Sequence, residues 1–223
     1  MQFEDELARI LPPDLPNREP LIRKGAQHLG LIAAANEYIN LTRVTSPREA
    51  AIKHVYDSVA PWPCFRGAVR ILDAGTGAGF PGVPLSIILP EAHFILSESI
   101  QKKARFVESV AEALELTNVR VTHERAEEVA LNQRIDIVTA RAIAPMSRIL
   151  ELFRKALQRG SRLVLYKGPN VEAELMEAQR HRVTARLLCR YELPESLGTR
   201  SLLELKANSA AREVLRKSVP ASQ

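Results

Sequence analysis

The sequence predicts an α/β fold in which a mainly parallel sheet carries helices on both faces, behind an N-terminal helical extension. Three observations predict it. Apolar residues recur at helical spacing through the first 66 positions, and short apolar runs then alternate with amphipathic stretches. The first such run, Val69 to Ala74, leads straight into a glycine-rich turn. Strands separated by helices need crossover connections, and crossovers leave neighbouring strands parallel.

In the extension, Phe3, Leu7 and Ile10 mark a short leading helix, which Pro12, Pro13 and Pro16 separate from the next. Ile22, Ala26, Leu29 and Ala33 share one face of a second helix, and Ile52, Val55 and Val59 one face of a third. Ala60 to Arg66, with Pro61 and Pro63, reads as a connector. After the strand Val69 to Ala74 come a helix from Val83 to Leu89 and a second strand from Ala92 to Ser97. Ile100, Ala104, Val107, Ala111 and Leu114 line one face of a helix from Ile100 to Leu116. Val119 to Thr122 and Ile135 to Ala140 are two more strands; Pro145 opens a helix that Gly160 closes, and Arg162 to Tyr166 is a further strand. Residues 183–191 and 201–207 read as two late strands with no full helix between them. The organisation expected is an extension (1–66), a ligand-binding core (67–208) and a disordered tail (209–223), compact overall.

Composition excludes several classes of protein. With 46% hydrophobic residues the chain can bury a sizeable core, so disorder is not its main state. Cys64 and Cys189, its two cysteines, build neither a disulfide framework nor a four-ligand zinc site. The five histidines (28, 54, 93, 123 and 181) include no pair at metal-ligand spacing, so no metal is expected. No stretch approaches the roughly 18 uncharged apolar residues of a membrane helix. Glu4, Asp5 and Glu6 break the basic-then-apolar order of a signal peptide, so a cytoplasmic protein with no membrane partner is expected. The formal charge of +5 is concentrated late: residues 151–223 hold 14 basic and 8 acidic side chains. Arg180, Arg182, Arg186 and Arg190 crowd there, a pattern that fits either a polyanion surface or a solvated face.

The strongest local signal is the run from Asp73 through Gly75, Gly77 and Gly79 to Phe80, Pro81 and Gly82. It sits at the carboxyl end of the first parallel strand, where doubly wound folds bind ligands. A nicotinamide fingerprint needs a third glycine at position 80, which is Phe80, and no Lys-Ser/Thr pair follows to make a phosphate loop. What remains is a nucleoside ligand whose linker is not a pyrophosphate. Glu98 lies at the end of the predicted second strand, where an acid accepts from ribose hydroxyls.

These residues carry a family resemblance. The turn with its Phe-Pro-Gly tail resembles motif I of class I S-adenosylmethionine-dependent methyltransferases, a Rossmann-like fold. More narrowly, the chain resembles the bacterial small-subunit ribosomal RNA methyltransferases RsmG, also called GidB. The matching pieces are Asn40-Leu41-Thr42, His54 with Asp57-Ser58, Asp73 to Ser86, Glu98-Ser99 with Lys102-Lys103, Arg125 to Glu128, Ala140-Arg141-Ala142 and Lys167-Gly168. They run in order from about residue 36 to 208; the arginine-rich stretch near Arg182 and the tail after Asn208 match no motif. The resemblance implies methyl transfer from S-adenosylmethionine to N7 of one guanine in a 16S ribosomal RNA loop near the decoding region, giving 7-methylguanosine. The implied partner is the RNA or the small-subunit particle, met by a monomer. Carried over by position, Gly75, Gly77, Phe80, the Ala126-Glu127 pair and Arg141 would contact the cofactor, and Glu98 the ribose. Asp73 would brace the loop or reach the methionine ammonium through water.

The N7 of guanine carries an exposed lone pair, so no base need remove a proton before attack, and positioning suffices. That agrees with a sequence offering no nucleophile and no tuned acid–base pair, and no single catalytic residue is singled out. Thr139 to Ala142 replaces the Asn/Asp-Pro-Pro-aromatic motif of exocyclic-amine methylation. Pro63-Cys64 precedes the glycine turn, the wrong order for a cytosine-C5 nucleophile; Cys64 reads as packing and Cys189 as buried. His54 and Asp57 could line the acceptor side or sit in the core, and Lys167 could meet phosphate or water. For stacking on a splayed-out base, Phe65, Phe80, Tyr38 and Tyr166 are conceivable.

Overall fold

A computed structural model describes residues 2–44, 46–181 and 183–208; Arg182 and the predicted tail, 209–223, lie outside the described residues. The chain opens with α1 (Gln2–Ile10) and α2 (Arg18–Ile39), packed on each other. The buried face of α2 comprises Leu21, Ile22, Gly25, His28, Leu29 and Ile32. It is rotated from the predicted face: Ala26 is half-buried and Ala33 exposed. Helical spacing defines a stripe, and the sector that is covered depends on the neighbours, here α1 and two helices of the core.

Ser46 caps α3 (Pro47–Ala50), its Oγ accepting from the N–H of Glu49 at 3.3 Å with Pro47 at the first helical position. The predicted third helix then widens into a π-turn, Ala51–Tyr56, and closes as α4 (Asp57–Val59). Such widening is concentrated at functional positions. Here it accompanies the burial of both His54 and Asp57. A single 3₁₀ turn, Trp62–Phe65, leads into the sheet.

The rest alternates as β1 (Arg70–Ala74), α5 (Gly82–Ile88), β2 (His93–Ser97), α6 (Gln101–Ala113), β3 (Val119–Thr122), α7 (Ala126–Asn132), β4 (Ile137–Arg141), α8 (Met146–Gln158), β5 (Arg162–Lys167), α9 (Glu172–Arg180), β6 (Val183–Glu192) and β7 (Thr199–Ala207). The strands form one sheet in the order β3-β2-β1-β4-β5-β7-β6. The first five are parallel, and β7 runs antiparallel between β5 and β6. The mainly parallel sheet with helices on both faces is therefore present, and each predicted strand is found within about two residues. Two helices were not predicted. In α7 three residues are buried and in α9 only Ala178, too few to write a periodic stripe.

Alternation along the strands sorts the core into two layers. Ile71, Phe94, Leu96, Ile137 and Val164 face a cluster shared with α5, α6 and the extension's Leu7, Leu21 and Val55. Leu72, Ile95, Val138, Leu163 and Leu165 face a second cluster built with α7, α8 and Ala178 of α9. Strands buried on both faces read as unbroken apolar runs, which is why they were visible in the sequence. The strand order reverses at β1, between β2 and β4, the switch point outside whose strand ends doubly wound folds form their ligand crevice.

Asp57 ties the extension to the far side of that crevice. Its Oδ2 accepts from Arg141 Nη1 at 3.2 Å, at the end of β4. Its Oδ1 accepts from the Tyr191 hydroxyl at 2.8 Å and lies 3.6 Å from Arg200 Nε. One residue on, the carbonyl of Ser58 accepts from the Tyr166 hydroxyl at 2.6 Å. A buried carboxylate with two guanidinium partners is costly to break, because its removal strands buried positive charge. Among the described residues no helix is long and apolar enough to cross a membrane. Replacing Asp57 with Ala is expected to destabilise the fold by about 3 kcal/mol or more, read as a lower midpoint of urea unfolding; an unchanged midpoint would show that this junction carries no stability.

Candidate active site at the glycine turn

Asp73, fully buried on β1, braces the turn that follows it. Its Oδ2 accepts from Thr76 Oγ1 at 2.6 Å and from the N–H of Gly82 at 2.8 Å, so one oxygen holds both ends of the turn. Only glycine fits at 82: a Cβ there would lie 2.7 Å from that oxygen and 2.2 Å from Leu96 Cδ2. Asp73 Oδ1 is buried without a hydrogen-bond partner among the described residues. Burial pushes the carboxyl up to about 6, against the pull of the Thr76 and Gly82 donors. At neutral pH it is a buried anion with one oxygen uncommitted, a group that calls for a cationic or donor ligand.

The extension grips the same turn. His28, fully buried on α2, donates from Nε2 to the carbonyl of Ala78 at 2.7 Å. Gly79 has φ +99°, and a Cβ there would meet the His28 ring at 3.1 Å. Phe80 is stacked between two imidazoles, with centroids 4.6 Å from His28 and 4.8 Å from His54, and a cis peptide joins it to Pro81. The Arg141 guanidinium lies 5.5 Å from the centre of the same ring. His54 Nε2 meets Thr42 Oγ1 at 3.0 Å, which ties in the Asn40-Leu41-Thr42 segment. Desolvation holds His28 down to about 4 and His54 down to about 3, the latter helped by the Arg141 charge. Both rings are neutral at physiological pH and stack as uncharged aromatic groups.

The open side of the turn faces β2. Gly75 and Thr76 both donate from the backbone to the Ser97 carbonyl, at 2.9 and 3.1 Å. Glu98 is 7% exposed; its Oε2 accepts from the N–H of Gly77 at 3.1 Å and its Oε1 from that of Ile100 at 2.9 Å. Each oxygen keeps a second lone pair for a ligand hydroxyl. At Gly77 a Cβ would meet nothing closer than the Gly75 carbonyl, at 4.0 Å, so this edge of the turn borders open space. Ser97 Oγ donates to the Glu124 carbonyl at 2.6 Å, binding the loop after β2 to the one that opens α7 with Ala126 and Glu127. Arg141 spends one nitrogen, Nη1, on the Lys53 carbonyl at 3.0 Å and on Asp57, leaving donors of its fork unspent.

Gly75, Gly77, Phe80, Glu98 and Arg141 thus gather around the glycine turn and the strand ends beside it, with Gly75 packed against Ile143 of the loop after β4 and Ala126 and Glu127 on the β3 side. The Phe80 side chain is 5% exposed and committed to the stack, so what it offers a ligand is backbone. Other candidates lie differently. His54 and Asp57 are buried residues, with partly exposed partners in Thr42, Arg141 and Arg200. Lys167 is largely covered and pairs with Glu174 at 3.5 Å, so it is not a loop lysine in water. Cys189 is half-buried rather than buried, and its proximity lowers the Cys64 thiol to about 7. Three arginines of the basic stretch are paired: Arg180 with Glu177, Arg190 with Glu172, and Arg186 with Glu204, which it shares with Arg162 and Lys206. Sequence reasoning missed His28, although a histidine on the apolar face of α2 was a signal. It also missed Tyr191 and Arg200, whose roles arise only when β6 and β7 fold back beside β5.

The fold is that of the class I methyltransferases. It is similar to precorrin-6y C5,15-methyltransferase from Geobacter metallireducens, with a TM-score of 0.54 and 13% identity over 68% of this chain and 87% of that one. It is likewise similar to the METTL16 methyltransferase domain, with a TM-score of 0.54 and 14% identity over 85% of this chain and 81% of that one. At such identities the likeness concerns the fold alone. The sequence goes further: the family model described as rRNA small subunit methyltransferase G, GidB, matches residues 22–201. A relative from Solibacter usitatus, named Ribosomal RNA small subunit methyltransferase G, is 54% identical over 210 residues, 92% of this chain and 100% of the relative. One of the same name from Carboxydothermus hydrogenoformans is 37% identical over 186 residues, 79% of each. The chain belongs to the rRNA small subunit methyltransferase G family.

The three shifted groups have a consequence for acid stability. As pH falls through 6.5 the unfolded chain protonates both His28 and His54, while the folded chain does not do so until about 4 and about 3. Asp73 acts in the opposite sense, taking its proton near 6 when folded but near 3.8 when unfolded. Between pH 6 and 4 the unfolded state therefore leads by about one proton, and these groups lower stability on acidification by roughly 1.4 kcal/mol per pH unit. His28→Gln, which keeps a donor but cannot charge, is expected to remove that slope in urea midpoints taken across this range. A slope as steep as that of the unaltered protein would assign it to other groups.

Proposed function

We propose that this chain transfers a methyl group from S-adenosylmethionine to N7 of a guanine in 16S ribosomal RNA, in a loop near the decoding region. The observation that carries the reading is the buried Asp73 carboxylate with its uncommitted Oδ1, set beside the open edge of Gly77 and the Glu98 carboxylate in a chain of this family. Those groups suit the cofactor: an anion for its ammonium or sulfonium charge, a turn without side chains for its body, and an acid for its ribose hydroxyls. When bound, the cofactor supplies an electrophilic methyl on a positively charged sulfur.

The protein's part is then to hold and to exclude water. Glu98 anchors the nucleoside while keeping the N–H groups of Gly77 and Ile100 in place. Asp73 neutralises positive charge without leaving the turn. Arg141, fixed by Asp57 and the Lys53 carbonyl, turns its remaining donors to the ligands. No residue is asked to take a proton, because N7 is already a nucleophile. Neutral, buried His54 and His28 suit a structural office. The extension, residues 1–66, closes the acceptor side of the core, residues 67–208, through the His28–Phe80–His54 stack.

The test is a labelled methyl-transfer assay on small ribosomal subunits lacking the modification and on their naked RNA, followed by nucleoside mass analysis. Label in 7-methylguanosine is expected, and label in any other nucleoside, or only in protein or small molecules, would reject the acceptor assigned here. Glu98→Gln is expected to weaken cofactor binding about tenfold, the order of magnitude for a charge-assisted hydrogen bond, and to lower the urea midpoint, because its NH2 would face one of the two backbone N–H groups that the carboxylate accepts from. Unaltered affinity by calorimetry would remove Glu98 from the cofactor site.

A further inference from the structure

We propose that Tyr38 is a stacking platform for an unpaired base of the RNA substrate, with the exposed Arg43, five residues on, meeting a phosphate; the inference rests on the RNA reading above. Of the aromatic side chains that could stack on a base, Phe65, Phe80 and Tyr166 are buried, and the Tyr166 hydroxyl is bonded to Ser58. Trp62 lies under the Arg66 guanidinium, and the Tyr191 hydroxyl is held by Asp57. Tyr38 is 80% exposed, the most exposed large apolar side chain among the described residues. A scattered exposed residue is ordinary on any surface. Tyr38 differs in how its backbone is held and in what it is joined to.

It sits in the last turn of α2, which Asn40 ends in a left-handed conformation, φ 54°. The Asn36 side chain, two residues before it, clamps the returning chain. Its Oδ1 accepts from the N–H of Leu41 at 2.7 Å and of Thr42 at 2.9 Å, and its Nδ2 donates to the Thr42 carbonyl at 2.9 Å. Thr42 in turn meets His54, which stacks on Phe80 of the glycine turn. A chain of contacts therefore runs from Asn36, in the same last turn of the helix as Tyr38, through Thr42 and His54 to Phe80 of the glycine turn. With its backbone held, Tyr38 has only two side-chain torsions to fix when a base stacks on it, and stacking accepts any base because every base has a π-face. Arg43, exposed, has no hydrogen-bond or ion-pair partner among the described residues. With Glu37 next to Tyr38 the local charge is modest, so the ring rather than the charge carries the affinity. An RNA loop whose bases can splay out suits such a surface.

The experiment is steady-state methyl transfer to the unmodified ribosomal substrate by the full chain and its Tyr38 variants, with cofactor affinity measured on each. Tyr38→Ala is expected to raise KM for the RNA substrate about tenfold, leaving kcat and cofactor affinity unchanged, and Tyr38→Phe and Tyr38→Trp to restore it. Arg43→Ala is expected to reduce the salt dependence of binding by about one phosphate. An unchanged KM in Tyr38→Ala, or a Tyr38→Phe variant as poor as Tyr38→Ala, would overturn the stacking role while leaving the RNA methylation intact. A photoreactive benzoylphenylalanine at position 38 should crosslink to RNA; crosslinks to ribosomal protein alone would overturn the assignment to RNA. Failure of the unaltered chain to methylate RNA at all would instead reject the functional reading, and this inference with it.

Discussion

The carboxylate of Asp73 is taken out of water at the end of β1, and two short hydrogen bonds to one of its oxygens close the glycine turn. They add to the backbone bonds that shape the turn, in a glycine-rich segment that has more conformations to lose than any other. With them, Gly77 is left facing open space and Phe80 is directed inward. The positions of Glu98, bonded to the Gly77 N–H, and of the helical extension, packed on Phe80, follow from that one buried anion. Its second oxygen is left without a partner among the described residues, which gives the brace a chemical use as well as a mechanical one.

The extension is part of this arrangement. His28 and His54 approach Phe80 from two different segments, and burial keeps both uncharged. A charged imidazole on either face would stand near the Arg141 guanidinium, so neutrality is what lets two histidines and an arginine surround one phenyl ring. Asp57 completes the junction by accepting from Arg141 and Tyr191 beside Arg200, so residues of β4, β6 and β7 converge on a single side chain of the extension. α2 and the glycine turn are thereby joined through packed rings and a short hydrogen bond. A reaction that proceeds by holding two partners in line benefits from such a frame, because small displacements of either are costly in rate.

Much of the fold was legible in the sequence. The apolar runs of β1, β2, β4 and β5 are buried on both faces, and the amphipathic period of α6 is long and regular. α7 and α9 were not legible because so few of their residues are buried. The rotation of the buried face of α2 was invisible for a different reason: it depends on which neighbours cover the helix, and those are distant in the chain. The π-turn at Ala51–Tyr56 likewise has no periodic signature over so few residues.

By itself the sequence determined the strand-turn-helix unit at Asp73 to Gly82, the acid at Glu98 and the membership of a methyltransferase family, because each is written in residues close together whose types permit little else. A turn of alternate glycines after a buried strand carries its backbone conformation with it. The tertiary structure alone decided that Phe80 is a packed ring between histidines 28 and 54, that Arg141 answers to Asp57, and that three arginines of the basic late stretch are matched by carboxylates from α9 and β7. Those partners are separated along the chain and share no period or motif. They meet only because burying the apolar faces of the sheet brings their segments together, and burial, unlike spacing, is a property of the whole fold.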